Sequence, residues 1–257
     1  MDLGLQGRTA LVTGSSRGIG FGVAQLLAAE GVHLHLASRN TEDLAKARER
    51  ITEVHDVDIT CHAFDLASGQ NVRTLASACI DVDILVNNAG AIPHGDVAAV
   101  DDETWRRAWD LKVFGFVNLT REIYPAMCKR RSGVIVNVIG TAGERPSAGY
   151  IAGSMGNASL MAMSRALGAE SVHQGVRVIG VNPGGTETDR QIVRWRARAE
   201  KELGNAERWR ELTRAFPFGR LATVDEVANM IVFLCSDRSS YTTGTIITID
   251  GGASAKA

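Results

Sequence analysis

The stretch Thr13-Gly14-Ser15-Ser16-Arg17-Gly18-Ile19-Gly20 follows the apolar run Ala10-Leu11-Val12 and opens into a helical pattern from Phe21 to Glu30. That order reads as strand, tight glycine turn, helix. The first N–H groups of a helix have no intrahelical partner, and the helix dipole favours negative charge beside them. Glycines let the backbone turn sharply and let a pyrophosphate come close. Gly14, Ser16, Arg17, Gly18, Ile19 and Gly20 are therefore candidate dinucleotide-binding residues. Their spacing is G-x-x-x-G-x-G, not the G-x-G-x-x-G of the general fingerprint. Taken alone, it also fits an ordinary turn before a helix.

A second apolar, strand-like run covers Val32 to Ala37, after Gly31 closes the first helix. His33 and His35 share one face of it and read as packing or solvent-facing residues. NAD sites often carry an acid at the end of this strand to bind the ribose 2′-OH. Here the positions read Ala37-Ser38-Arg39-Asn40. With no acid present, Ser38, Arg39 and Arg17 suit a 2′-phosphate held by charge-assisted hydrogen bonds, so NADP(H) is expected rather than NAD(H).

Thr41 to Val54 reads as a charged surface helix. Further strands run from Asp58 to Phe64, ending at Asp65-Leu66, and from Asp83 to Val86, ending at Asn87-Asn88-Ala89-Gly90. Strands alternating with helical segments imply a parallel sheet with helices on both faces. Ligands bind at the carboxyl ends of such strands, which adds Asp65, Leu66, Asn88, Ala89 and Gly90 to the cofactor candidates.

Bulk properties narrow the function classes. The 257 residues are 45% hydrophobic, enough for a large core, and the formal net charge of −1 gives no field to attract nucleic acid or an anionic membrane. No basic-then-apolar leader and no apolar run of membrane-spanning length is evident. Cys61, Cys79, Cys128 and Cys235 are scattered and form no CxxC, and the six histidines form no HExxH-type cluster. No metal site is expected, and reduced thiols point to a cytoplasmic protein.

The pairing of Thr13-Gly14-x-x-x-Gly18-x-Gly20 with Asn87-Asn88-Ala89-Gly90 resembles the short-chain dehydrogenase/reductase family, in its compact form. The likeness extends through Pro183-Gly184 and Asp250-Gly251-Gly252 and covers nearly the whole chain. It implies an α/β fold, a Rossmann-like doubly wound parallel sheet, over one domain of residues 1–257. It also implies a nicotinamide cofactor and a homodimer or homotetramer built on the helices near 101–131 and 148–173, where small residues on the second allow close approach.

The family's active site is usually Asn, Ser, Tyr and Lys, the last two spaced Tyr-x-x-x-Lys. Tyr150 matches. Four residues on stands Ser154, the serine position falls on Gly140 beside Thr141, and the asparagine position falls on Lys112. No lysine lies between Lys129 and Lys201, so the usual one is absent under any alignment. Two readings stay open. In the first, Lys112 supplies a relocated cation that assists Tyr150 as acid/base, with Thr141 contributing a hydroxyl, and the protein transfers a hydride between nicotinamide and a carbonyl or secondary alcohol. In the second, the protein binds NADP(H) with weak or no turnover and serves as a sensing or scaffold module.

After the strand Gln174 to Gly184, the turn Pro183-Gly184-Gly185-Thr186-Glu187-Thr188 matches the family segment that faces the nicotinamide, adding Pro183, Gly184, Thr186 and Thr188 to the cofactor candidates. Residues 189–218 interrupt the alternation and read as a helical substrate lid. The lid carries seven arginines, one lysine and two tryptophans against five acids. An anionic substrate would suit it, as would a solvated helix of i,i+4 ion pairs. Arg145, ahead of Tyr150, is a second candidate anion contact.

Overall fold

Ala10, Leu11 and Val12 show no polar alternation because both faces of their strand are covered; all three are fully buried. In the computed structural model, which describes residues 1–256, this segment is β1 (Thr9–Thr13). It is followed by α1 (Gly18–Ala29), β2 (His33–Ser38), α2 (Thr41–Thr52), β3 (Ile59–Ala63), α3 (Gly69–Ala78) and β4 (Ile84–Asn87). The second half brings α4 (Asp102–Trp109), α5 (Gly115–Arg130), β5 (Gly133–Val138), α6 (Ile151–Ser171) and β6 (Val176–Pro183). Then come α7 (Asp189–Leu203), α8 (Trp209–Leu212), α9 (Val224–Cys235) and β7 (Ile246–Ile249).

The seven strands form one parallel sheet in the order β3-β2-β1-β4-β5-β6-β7. Chain direction across the sheet reverses between β1 and β4, and a crevice opens there at the carboxyl ends. One face is covered by α1 and α9, through Val23, Leu27, Val227 and Ile231; the other by α3 and α5, through Leu75, Leu119, Ile123 and Met127. Burial of each such aliphatic side chain stabilises the fold by about 1.5–3 kcal/mol, an upper figure because a denatured chain already hides part of that surface. A buried polar chain ties the layers together. Asn87 donates to Thr120 at 3.2 Å and to Asn137 at 2.9 Å, and Asn137 donates to Ser164 at 2.9 Å.

The helical pattern of residues 101–131 is not one regular helix. Asp101 caps its start by accepting from the Thr104 amide at 2.8 Å. Between α4 and α5, however, residues Asp110–Phe114 form a π-helical turn with Lys112 at its centre. Such bulges re-aim side chains and recur at functional sites. The segment expected as a lid folds as α7, a short 3-10 turn and α8 around its own small core of Ala199, Trp209 and Leu221.

Candidate active site

The glycine turn is locked to β4 by one hydroxyl. Thr13 Oγ1 accepts from the amides of Asn88 (2.8 Å) and Ala89 (3.0 Å) and donates to the Val86 carbonyl at 3.3 Å. Asn88 Nδ2 returns to the carbonyls of Thr13 and Gly14 at 3.0 and 3.3 Å. Gly20 sits under this arrangement: a Cβ there would lie 2.3 Å from the Gly14 carbonyl oxygen and 2.5 Å from Asn88 Nδ2. Gly20 does not line the cleft; it lets helix α1 approach the turn, so that Gly14, Ser16, Arg17, Gly18 and Ile19 face the open space at its N-terminus.

That space is a cavity of about 720 Å³ along the carboxyl edge of the sheet. A cleft of this size, floored by free helix-terminal amides and a glycine cradle that a side chain would fill, fits an extended dinucleotide. At its far end Ser16 and Ser38 hydroxyls lie 3.1 Å apart, with Arg17, Arg39, Phe64 and Leu66 beside them. Asp43, on the first turn of α2, is the acid at this end. Neither Arg17 nor Arg39 forms an ion pair among the described residues. Asp65 does not face the cavity. It closes its own turn, accepting from the Ala67 amide at 3.1 Å.

At the other end Tyr150 stands just before α6, bridged to Gly95 through backbone hydrogen bonds. Its ring lies across Gly153, where a Cβ would be 2.0 Å from the ring edge, and stacks on His94 with centroids 4.4 Å apart. Burial raises the phenol above its usual range, opposed by the charges of Arg190 and Arg194. Tyr150 is therefore a neutral phenol at pH 7, a proton donor. His94 is held below its usual range by burial, then by Arg194 and Arg190, and is neutral too.

The departures from the family's tetrad have structural consequences. Ser154 is buried and does not reach the cleft; its hydroxyl accepts from the Ser147 amide at 3.0 Å and so fastens the loop ahead of Tyr150. Gly140, at the serine position, has φ 121° and ψ 150°, a conformation essentially closed to residues with a side chain. A serine cannot stand there without the backbone moving. Lys112 turns inward from the π-helical turn, its stem against Gly90 and its ammonium on the Ile139 carbonyl at 2.6 Å, one residue before Gly140. Desolvation, and secondarily the charge of Arg190, push Lys112 down to about 8. Lys112 is not among the charges that act on Tyr150, as a direct substitute for the usual lysine would be; Arg190 and Arg194 are. Thr141 lines the same wall.

Two cleft residues escaped the sequence reading. His94 is described above. The other, Asn157, is buried, donates to the Gly140 carbonyl at 3.2 Å and leaves its own Oδ1 without a partner. Of the lid arginines, Arg196, Arg198, Arg208 and Arg210 are tied up with Glu207, Glu202, Glu211 and Glu187. Arg190 and Arg194 instead face the cleft, Arg190 reaching the Gly90 carbonyl at 3.4 Å. Arg145 turns away to the Ala253 carbonyl at 2.6 Å and lines a separate, smaller cleft. Pro183, Gly184, Thr186 and Thr188 all line the main cavity, Thr188 also capping α7 through the Gln191 amide.

Residues 14–254 match a family model described as enoyl-(acyl carrier protein) reductase. The chain belongs to the short-chain dehydrogenase/reductase family. It is 32% identical over 254 residues to the 3-oxoacyl-[acyl-carrier-protein] reductase FabG of Escherichia coli (strain K12), covering 97% of this chain and 98% of that protein. Among solved structures it is similar to L-sorbose reductase from Gluconobacter frateurii complexed with NADPH and L-sorbose, with a TM-score of 0.94 at 30% identity over 100% of both chains. It is also similar to a short chain dehydrogenase/reductase family protein, with a TM-score of 0.85 at 32% identity over 100% of both chains. Membership makes the protein an NAD(P)-dependent oxidoreductase.

Proposed function

We propose that this protein, a single catalytic domain, is an NADP(H)-dependent reductase of carbonyl compounds whose active site has been rebuilt around Lys112. The observation that carries the reading is the buried Lys112 ammonium on the Ile139 carbonyl. A surface lysine would extend into water; this one turns inward and keeps its ammonium desolvated at a cost to stability, as functional sites do. The cofactor is NADP(H), supported by Arg17 and Arg39 at the far end of the cleft and by the NADPH bound in the sorbose reductase complex. The bound nicotinamide supplies the hydride. Tyr150, protonated at neutral pH, gives its proton to the developing alkoxide. Lys112 supplies positive charge beside Gly140, where the family's serine would hold the substrate oxygen, and Thr141 adds a hydroxyl to that wall.

Arg190 and Arg194, without acidic partners among the described residues, support a substrate bearing a carboxylate or phosphate near the reacting carbonyl. The four free cysteines support a reducing, cytoplasmic setting, and among the described residues no helix is long and apolar enough to cross a membrane. For assembly, the small residues Ala152, Gly153 and Gly156 are buried within the subunit. The face of α6 left for a partner copy in a dimer or tetramer is Met155, Ala158, Ala162, Ala166 and Ala169. The test is NADPH oxidation over a panel of oxo acids and neutral ketones, with wild type and Tyr150→Phe. Turnover that favours the acids and falls about 100-fold or more in Tyr150→Phe supports the reading. Tight NADPH binding without turnover on any member of the panel returns the protein to the binding-module class.

A further inference from the structure

The sequence spacings of histidine and cysteine show no ligand motif, yet the fold brings three such side chains together on the α3 side of the sheet. His35 on β2 and His62 on the edge strand β3 lie on one face; His35 Nδ1 and His62 Nε2 are 2.9 Å apart, and the rings stack at 5.1 Å. Cys79, buried at the C-terminal end of α3, places its Sγ 3.7 Å from His62 Nε2. The three ligand atoms all fall within 4.8 Å of one another. The neighbouring Cys61 takes no part, its Sγ resting 3.7 Å from the Leu44 carbonyl.

We propose that His35, His62 and Cys79 bind a divalent cation of borderline softness, zinc, in a tetrahedral site whose fourth ligand is water. Zinc bonds of about 2.0–2.1 Å to nitrogen and 2.3 Å to sulfur give tetrahedral N···N edges of about 3.3 Å and N···S edges of about 3.6 Å. The observed 2.9 and 3.7 Å are close to these, so the imidazoles need to part by about 0.4 Å, and the third edge, from His35 to Cys79, lies within 4.8 Å and closes toward about 3.6 Å on binding. Both imidazoles are partly exposed, which leaves a path for the ion and its water. The ring proton shared between Nδ1 and Nε2 moves to the outer nitrogen of the same imidazole. The thiol proton of Cys79 leaves to solvent as the Zn–S bond forms, so one proton is released per ion. Bound zinc would pin the edge strand and the end of α3 to β2, the strand that ends at Ser38.

The test uses the full chain, stripped with chelator and titrated with Co²⁺ alone, following thiolate-to-cobalt charge-transfer absorption in the near ultraviolet. One equivalent is expected to saturate the band, and Zn²⁺ to bleach it. Cys79→Ser should abolish the band. His62→Gln, chosen because His62 is partly exposed and lies outside the core, should weaken metal affinity by about 100-fold. Cys61→Ser should keep both band and affinity. Absence of the band at equimolar cobalt, or its survival in Cys79→Ser, overturns the proposal.

Discussion

Replacing Lys112 by Met should make the ligand-free protein more stable at neutral pH. Burial lowers Lys112 from 10.5 to about 8. At about 1.36 kcal/mol per pKa unit, holding the ammonium in the fold costs about 3 kcal/mol at pH 7. The folded value lies below the unfolded one, so between pH 8 and 10.5 the unfolded chain binds more protons than the folded one. Stability therefore rises with pH across that window, and the penalty is fully present below it. Met keeps the stem against Gly90 and removes the charge, but leaves the Ile139 carbonyl without its donor, a loss of about 1 kcal/mol. The net gain is about 2 kcal/mol, or about 4–8 °C in Tm for a chain of this length. Calorimetric unfolding of both proteins at pH 7 and pH 10 reads it directly. The gain should be present at pH 7 and shrink to nothing or reverse at pH 10. A lower Tm for the variant at pH 7, or an equal gap at both pH values, refutes the reasoning.

Other substitutions probe the rest of the cleft. Arg39→Ala should weaken NADPH binding by about 10- to 100-fold, the worth of a charge-assisted phosphate contact, and leave NADH binding unchanged in calorimetric titration. Thr13→Val keeps the side-chain shape but orphans the Asn88 and Ala89 amides, so urea unfolding should show a loss of about 2–4 kcal/mol. Ser154→Lys should not restore the family's chemistry. It strips the Ser147 amide of its acceptor and brings a second ammonium into the buried interior, so both Tm and turnover should fall.

What was legible in the sequence was local. The glycine turn, the Asn87–Gly90 turn and the apolar strands are each contiguous, and they fixed the parallel sheet and the cofactor end of the cleft. Counting along the chain also put Lys112 and Ser154 at the family's positions. It could not show that Ser154 is buried on the Ser147 amide, that Gly140 adopts a glycine-only conformation, or that a π-helical turn aims Lys112 inward. Nor could it separate Arg190 and Arg194 from the other lid arginines, because ion pairs such as Arg210–Glu187 close across the fold. His35, His62 and Cys79 were invisible for the same reason: 27 and 17 residues part them in sequence, and only strand register and the end of α3 bring them together.

The central claim is that Lys112 supplies positive charge to the substrate oxygen beside Gly140, and the most direct measurement is steady-state turnover of Lys112→Met with NADPH saturating. A relocated cation predicts a kcat lower by about 100-fold or more, the usual cost of removing one transition-state charge partner, with NADPH affinity changed by less than about tenfold. A kcat within about twofold of wild type would contradict it, because a charge that the transition state uses cannot be removed without such a loss.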